Sequence, residues 1–178
     1  MSGALPVSVD PVRLADQDAQ LRGTLPIARM KRLVSMCVSD AGEAQLELHF
    51  RRETESGLRR ITGRIEAVVR IRCERCMDPF ALPLTAEVDL LLAPPGSGEL
   101  AGESDVLEAA GPISLSEMVE NELILAMPMV PMHPADQCPS ALAAGKTGKE
   151  DASTETHQDN PFGVLAALRE KGADKQNS

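Results

Sequence analysis

Between residues 44 and 92 the chain alternates apolar and polar side chains in three successive runs. A period of two suits strands with one dry face and one wet face, because successive strand residues point to opposite sides of a sheet. Ala44, Leu46, Leu48 and Phe50 alternate with Gln45, Glu47, His49 and Arg51. After a hairpin turn at Glu55-Ser56-Gly57, the returning run sets Leu58, Ile61, Ile65, Ala67, Val69 and Ile71 against Arg64, Glu66, Arg70 and Arg72. Gly63 is read as a bulge where the phase shifts. A third run, from about Leu82 to Leu92, places Leu84, Ala86, Val88 and Leu90 on one side.

Around this sheet the periodicity is helical in two places. From Pro26 to Met36, the residues Ile27, Met30, Leu33 and Val34 recur at three- and four-residue steps, with Pro26 suited to a first turn. Ser114-Leu115-Ser116-Glu117 matches a capping box, and the helix it opens should end by Met127 because Pro128 disfavours helix in the residue before it. Residues 1–24, with Pro6, Pro11 and Gly23, read as an extended lead-in with a short edge strand near Val7 to Val9. Pro94 to Gly102 reads as an exposed connection, after which Val106 and Leu107 form a short strand.

A length of 178 residues suits one ordinary domain with tails. With no Trp, no Tyr and only Phe50, Phe80 and Phe162, its core must be aliphatic. The expected architecture is α+β: a curved antiparallel β-sheet or partly closed barrel with flanking helices. The domain spans 1–139. Residues 140–159 are Ala-, Gly-, Thr- and acid-rich and bury too little to order themselves, so they read as a disordered acidic linker. Residues 160–178 carry a C-terminal short helix, capped at Asn160-Pro161, and a tail.

Charge is divided along the chain. Through Cys76 there are 13 Lys or Arg against 10 Asp or Glu, and beyond it 5 against 17. Only the first half can offer phosphate a basic face. Charged residues and prolines interrupt the N-terminal stretch where a secretory signal would need an apolar run, and no stretch approaches a membrane span. The expected location is cytoplasmic, where cysteines stay reduced.

Cys73-Glu74-Arg75-Cys76 closes a strand with two thiols at a spacing that can reach one metal from a tight turn. His133 and Cys138, in a proline-rich loop, would complete a Cys3His set suited to structural zinc. Metal-free packed thiols and a thiol redox pair or sensor using Cys73 and Cys76 are the competing readings. Cys37, in the tail of the first helix, reads as a buried small apolar residue. Arg51, Arg52, Arg59, Arg60, Arg64, Arg70, Arg72 and Arg75 are candidates for contact with RNA phosphate. The competing reading is a solvated sheet face with cross-strand ion pairs, since Glu53, Glu55, Glu66 and Glu74 are interspersed. No aromatic residues are interleaved to stack bases. No Ser-His-Asp order, paired catalytic carboxylates or phosphate-cradling glycine loop is present, so the chain reads as non-enzymatic.

Four landmarks occur in order: Asp10-Pro11-Val12-Arg13; Cys73-Glu74-Arg75-Cys76 with Pro79-Phe80; Val119-Glu120-Asn121-Glu122-Leu123-Ile124-Leu125-Ala126-Met127-Pro128 running into His133 and Cys138; and Asn160-Pro161-Phe162-Gly163-Val164-Leu165. In this combination the chain resembles the YceD family of bacterial large ribosomal RNA subunit accumulation proteins. The resemblance implies a non-enzymatic role in synthesis, processing or stability of 23S ribosomal RNA. Expected partners are 23S ribosomal RNA or its precursor and a ribosomal protein or processing factor, with no membrane and no DNA. The alternatives are the redox reading and a zinc-binding adaptor linked to ribosomal RNA transcription.

Overall fold

The structure, a computed structural model, describes residues 5–54, 57–96 and 105–139. The element order is β1 (Ser8–Val9), α1 (Pro11–Asp16), β2 (Gln20–Pro26), a 3-10 turn (Ile27–Arg29), α2 (Lys31–Met36), β3 (Glu43–Arg52), β4 (Arg59–Arg72), β5 (Pro79–Ala93), β6 (Asp105–Glu108), β7 (Ile113–Ser114) and α3 (Leu115–Leu125). Five strands form one open sheet in the order β2-β3-β4-β5-β6, and β1 pairs with β7 separately. The first four strands are antiparallel neighbours, whereas β6 runs parallel to β5. The α+β class stands, with the sheet ending at β2 and β6 and so not closing into a barrel.

The three alternating runs become β3, β4 and β5. Leu46, Leu48, Phe50, Ile61, Ile65, Val69, Leu84 and Val88 point into the core with at most a few per cent of their surface exposed. The helix α3 packs on β4 and β5, and α2 lies against α3. Ile27, Met30, Leu33, Leu115, Val119 and Leu123 close the core from the helical side. A core with one aromatic residue, Phe50, is thus built by interdigitating aliphatic chains from both layers.

Three elements depart from the sequence expectation near the N-terminus. Residues 11–16 form a helix where an extended segment is expected: Asp10 accepts the Arg13 amide at 3.1 Å, and Pro11 takes the first turn, where its missing N–H costs nothing. Residues 20–26 form a full strand along the free edge of β3, in register from Gln20↔His49 to Pro26↔Glu43. The helix expected across 26–36 is broken at Met30 into the 3-10 turn and α2.

No bulge occurs at Gly63. Pairing runs unbroken from Ala44↔Ala67 to Arg52↔Arg59 on one side of β4 and from Arg59↔Leu92 to Arg72↔Pro79 on the other. The apparent phase shift came from Leu58, which precedes β4 in the turn and stays exposed. Glycine is required at position 63 for a different reason. At its φ of +153° a Cβ would stand 2.0 Å from the Glu47 carbonyl oxygen and 2.9 Å from Leu48 Cα.

The capping-box helix appears as expected. The Ser114 hydroxyl accepts the Glu117 amide at 3.3 Å, and Ala126 ends α3 before Pro128. The expected linker at 140–159 and C-terminal helix from 160 lie outside the described residues.

Candidate metal centre and cationic surface

The strands β4 and β5 outrun β3. The last β3 partner on β4 is Ala67, so Val68–Arg72 and Pro79–Pro83 continue as a two-stranded ribbon, joined at one edge by the Val38 amide donating to the Arg70 carbonyl at 2.8 Å. At its tip Cys73 N–H donates to the Asp78 carbonyl at 3.0 Å and Met77 N–H to the Cys73 carbonyl at 2.9 Å. Met77 adopts φ 65°, a left-handed conformation that lets the chain reverse within this short turn.

Beyond α3, the loop returns to this tip. Glu74 N–H donates to the Pro131 carbonyl at 2.9 Å, and His133 N–H donates to Cys73 Sγ at 3.4 Å. A turn in which Gln137 N–H donates to the Pro134 carbonyl brings in Cys138. The ligand atoms of Cys73, Cys76, His133 and Cys138 consequently lie within 4.8 Å of one another. His133 Nδ1 is 3.3 Å from Cys76 Sγ, and its ring lies 4.6 Å from the ring of Phe80. Cys73 and Cys138 are fully buried, while Cys76 and His133 are half-buried.

Burial raises the Cys73 thiol, but amides of Cys76, His133 and Arg75 donate to its sulfur and, with the His133 side chain, bring it down to about 5. Burial pushes Cys76 up to about 11, against the Asp78 amide and with the help of the neighbouring Cys73 and Cys138 sulfurs. The pocket therefore crowds sulfurs that cannot all ionise without a counter-charge, while backbone donors favour negative charge on the first of them. A cation answers both conditions. Zinc ligands with bonds of about 2.3 Å stand roughly 3.8 Å apart in a tetrahedron, so the four side chains are already near ligating separation. The cluster could hold a metal.

Seven of the eight candidate arginines belong to β3 or β4, and their surroundings differ. Arg59 pairs with Asp16 at 2.8 Å, Arg60 with Glu53 and Asp89 at 3.0 Å each, and Arg64 with Glu87 and Glu66. Across the outer face the register places Arg22, Glu47, Arg64 and Glu87 directly opposite one another, a ladder of alternating sign. Arg52 donates to the Gly57 carbonyl at 3.2 Å. Arg70, Arg72 and Arg75 lie toward the ribbon tip, exposed and in no ion pair among the described residues; Arg51 is exposed and likewise unpaired there.

Sequence reasoning missed Glu120. This carboxylate is 4% exposed, takes the Arg32 amide at 2.6 Å and the Leu33 amide at 3.1 Å, and pairs with the Arg32 guanidinium at 3.0 Å. It supplies from α3 the cap that α2 lacks locally, since Met30 offers no side-chain acceptor. Desolvation opposes its ionisation, but those amides and Arg32 hold it below the usual carboxylate range. Its position next to buried Val119 was the available signal.

Cys37 packs against the core but remains half-buried, and burial raises its thiol.

Fold and cluster together define a small α+β protein whose sheet projects a Cys3His tip, stapled by a proline-rich loop from its last helix. The family described as "Large ribosomal RNA subunit accumulation protein YceD" matches residues 61–169, and the chain belongs to it. The chain is similar to the large ribosomal RNA subunit accumulation protein YceD of Haemophilus influenzae, with 30% identity over 175 residues covering 94% of this chain and 97% of that protein. No solved structure matches the chain. No helix among the described residues is long and apolar enough to cross a membrane.

Proposed function

We propose that the protein is a non-enzymatic ribosome-biogenesis factor of the cytoplasm, acting in synthesis, processing or stability of 23S ribosomal RNA. Membership of a family named for accumulation of the large ribosomal RNA carries this reading, with similarity extending over nearly the whole of the Haemophilus influenzae relative. In this reading Cys73, Cys76, His133 and Cys138 hold a structural zinc, whose chemistry is to replace several cysteine protons with one divalent charge and so fix the tip. The chain's own groups orient the ligands: the Arg75 and His133 amides aim at the Cys73 sulfur, and Phe80 backs the His133 ring. RNA phosphate would meet the arginine surface, and a basic ribosomal protein or processing factor would suit the acidic second half.

Deleting the gene should lower 23S ribosomal RNA relative to 16S, and the wild-type gene should restore it. Unchanged 23S levels on deletion would sink the reading. The purified chain should carry about one zinc ion, the stoichiometry of a single four-ligand site.

A thiol redox role is favoured by one observation, the lowered Cys73 thiol. Titrating the thiols with and without a chelator separates the two: tightly held zinc marks the structural site, and a reversible Cys73–Cys76 disulfide marks the redox pair.

A further inference from the structure

We propose that the outer face of the β4–β5 ribbon beyond β3, carrying Arg70 and Arg72 and continued by Arg75 in the turn, is a contact surface for the RNA phosphate backbone. This deepens the reading above and rests on it for the identity of the nucleic acid.

The argument starts from what stands opposite each exposed residue. In the body of the sheet, Arg64 lies between Glu47 and Glu87. Beyond β3 the pairs become Val68↔Pro83, Arg70↔Ala81 and Arg72↔Pro79, so no carboxylate faces either arginine. Arg70, Arg72 and Arg75 are all exposed, and none makes an ion pair among the described residues. Glu74 and Asp78 sit in the same turn without pairing to them. Arg72 spends one donor on the Met77 carbonyl at 3.3 Å, and Arg75 rests a guanidinium nitrogen 3.5 Å from the Met132 sulfur; neither contact neutralises charge. A guanidinium has five donors, so most remain available.

Arg70 and Arg72 share one face two residues apart, roughly 6.7 Å along the strand, and long side chains from there can reach separate phosphates of one strand. The flanking Val68, Ala81 and Pro83 are exposed but present no acceptor that would compete for the guanidinium groups. Phe80 points to the other side and lies against His133, so this face offers no ring on which to stack a base. The contact is therefore with backbone and insensitive to sequence. The cationic strip lies beside the turn that carries Cys73 and Cys76.

The test is binding of the full-length protein to purified 23S ribosomal RNA across a salt series. Each arginine–phosphate contact contributes about one to the slope of log affinity against log salt. The double variant Arg70→Ala, Arg72→Ala should lower the slope by about two. The double variant Arg70→Lys, Arg72→Lys should keep it, and Arg22→Ala with Arg64→Ala should leave it as in the wild type. Matching thermal midpoints would show that the variants fold. An unchanged slope in the alanine pair, an equal fall in the Arg22 and Arg64 pair, or no binding by the wild type at low salt would each overturn the proposal. None of these bears on whether deletion lowers 23S levels, so the two readings fail separately.

Discussion

The strands β4 and β5 belong to two regions built on different principles. Where β3 and α3 cover them, every inward residue meets the aliphatic core and the outward ladder Arg22, Glu47, Arg64 and Glu87 balances its own charge. Past Ala67 the same strands lose β3 and their arginines lose their carboxylates; Val69 and Ile71 still turn inward, and at the tip four ligand-type side chains lie within 4.8 Å of one another. An isolated two-stranded ribbon is marginal in water. The body is thus held by burial, whereas on the structural-zinc reading the tip depends on a cross-link, and the tip is where arginines stand without an ion pair among the described residues.

The largest expected effect breaks that dependence. Stripping zinc with a chelator, or replacing the fully buried Cys138 by Ser, should free the tip while sparing the body. Amide protection at Val69–Ala81 should fall roughly a hundredfold, and protection in β3 should stay within a factor of a few. A uniform loss of protection across both regions would show that they are one cooperative unit.

Gly63→Ala attacks the body instead. The new Cβ collides with the Glu47 carbonyl and Leu48 Cα, both backbone, so β3 and β4 must separate. A loss of about 3 kcal/mol or more is expected in urea unfolding. Zinc stoichiometry measured below the unfolding transition should be retained, since the four ligands lie outside the distorted pairing.

How far these regions were legible differed for a physical reason. Alternation marks a strand whenever one face is dry, so β3, β4 and β5 could be read from Leu46, Ile65 and Val88 and their neighbours. The four candidate ligands were legible because the residue types themselves carry the chemistry. The strand β2 was not, because Gly23 and Pro26 argue against a strand and only the free edge of β3 makes one favourable. The state of each arginine was equally hidden, because pairing depends on register: Arg64 and Arg70 look alike in sequence, yet one faces Glu87 and the other Ala81.

Glu120→Gln should have a smaller effect, about 1.5 kcal/mol, because the amide side chain can still accept from Arg32 or Leu33 but loses the charge. The pH profile identifies the cause. A carboxylate held below its ordinary range stabilises the fold above the unfolded glutamate pKa of about 4.3, and that stability is lost as pH falls through the lower folded value. Glu122, pushed upward by burial and then by Asp105, acts in the opposite sense, so the comparison must be wild type minus variant. That difference should be constant near neutrality and shrink below about pH 4.3. A difference that does not change with pH would mean the side chain acts by packing alone.

The smallest effect tests whether the charge ladder of the body is structural at all. Arg64→Ala removes contacts to Glu87 and Glu66 and leaves Glu47 without its neighbour across the strand pair. All of these groups are exposed, so water replaces what is lost and the urea midpoint should stay where it was. The change should appear in charge instead: removing a balanced cation leaves the body more acidic and sharpens its contrast with the ribbon. A large fall in the midpoint would mean that the ladder holds the strands together, and the division between a self-balanced body and a cross-linked tip would have to be redrawn.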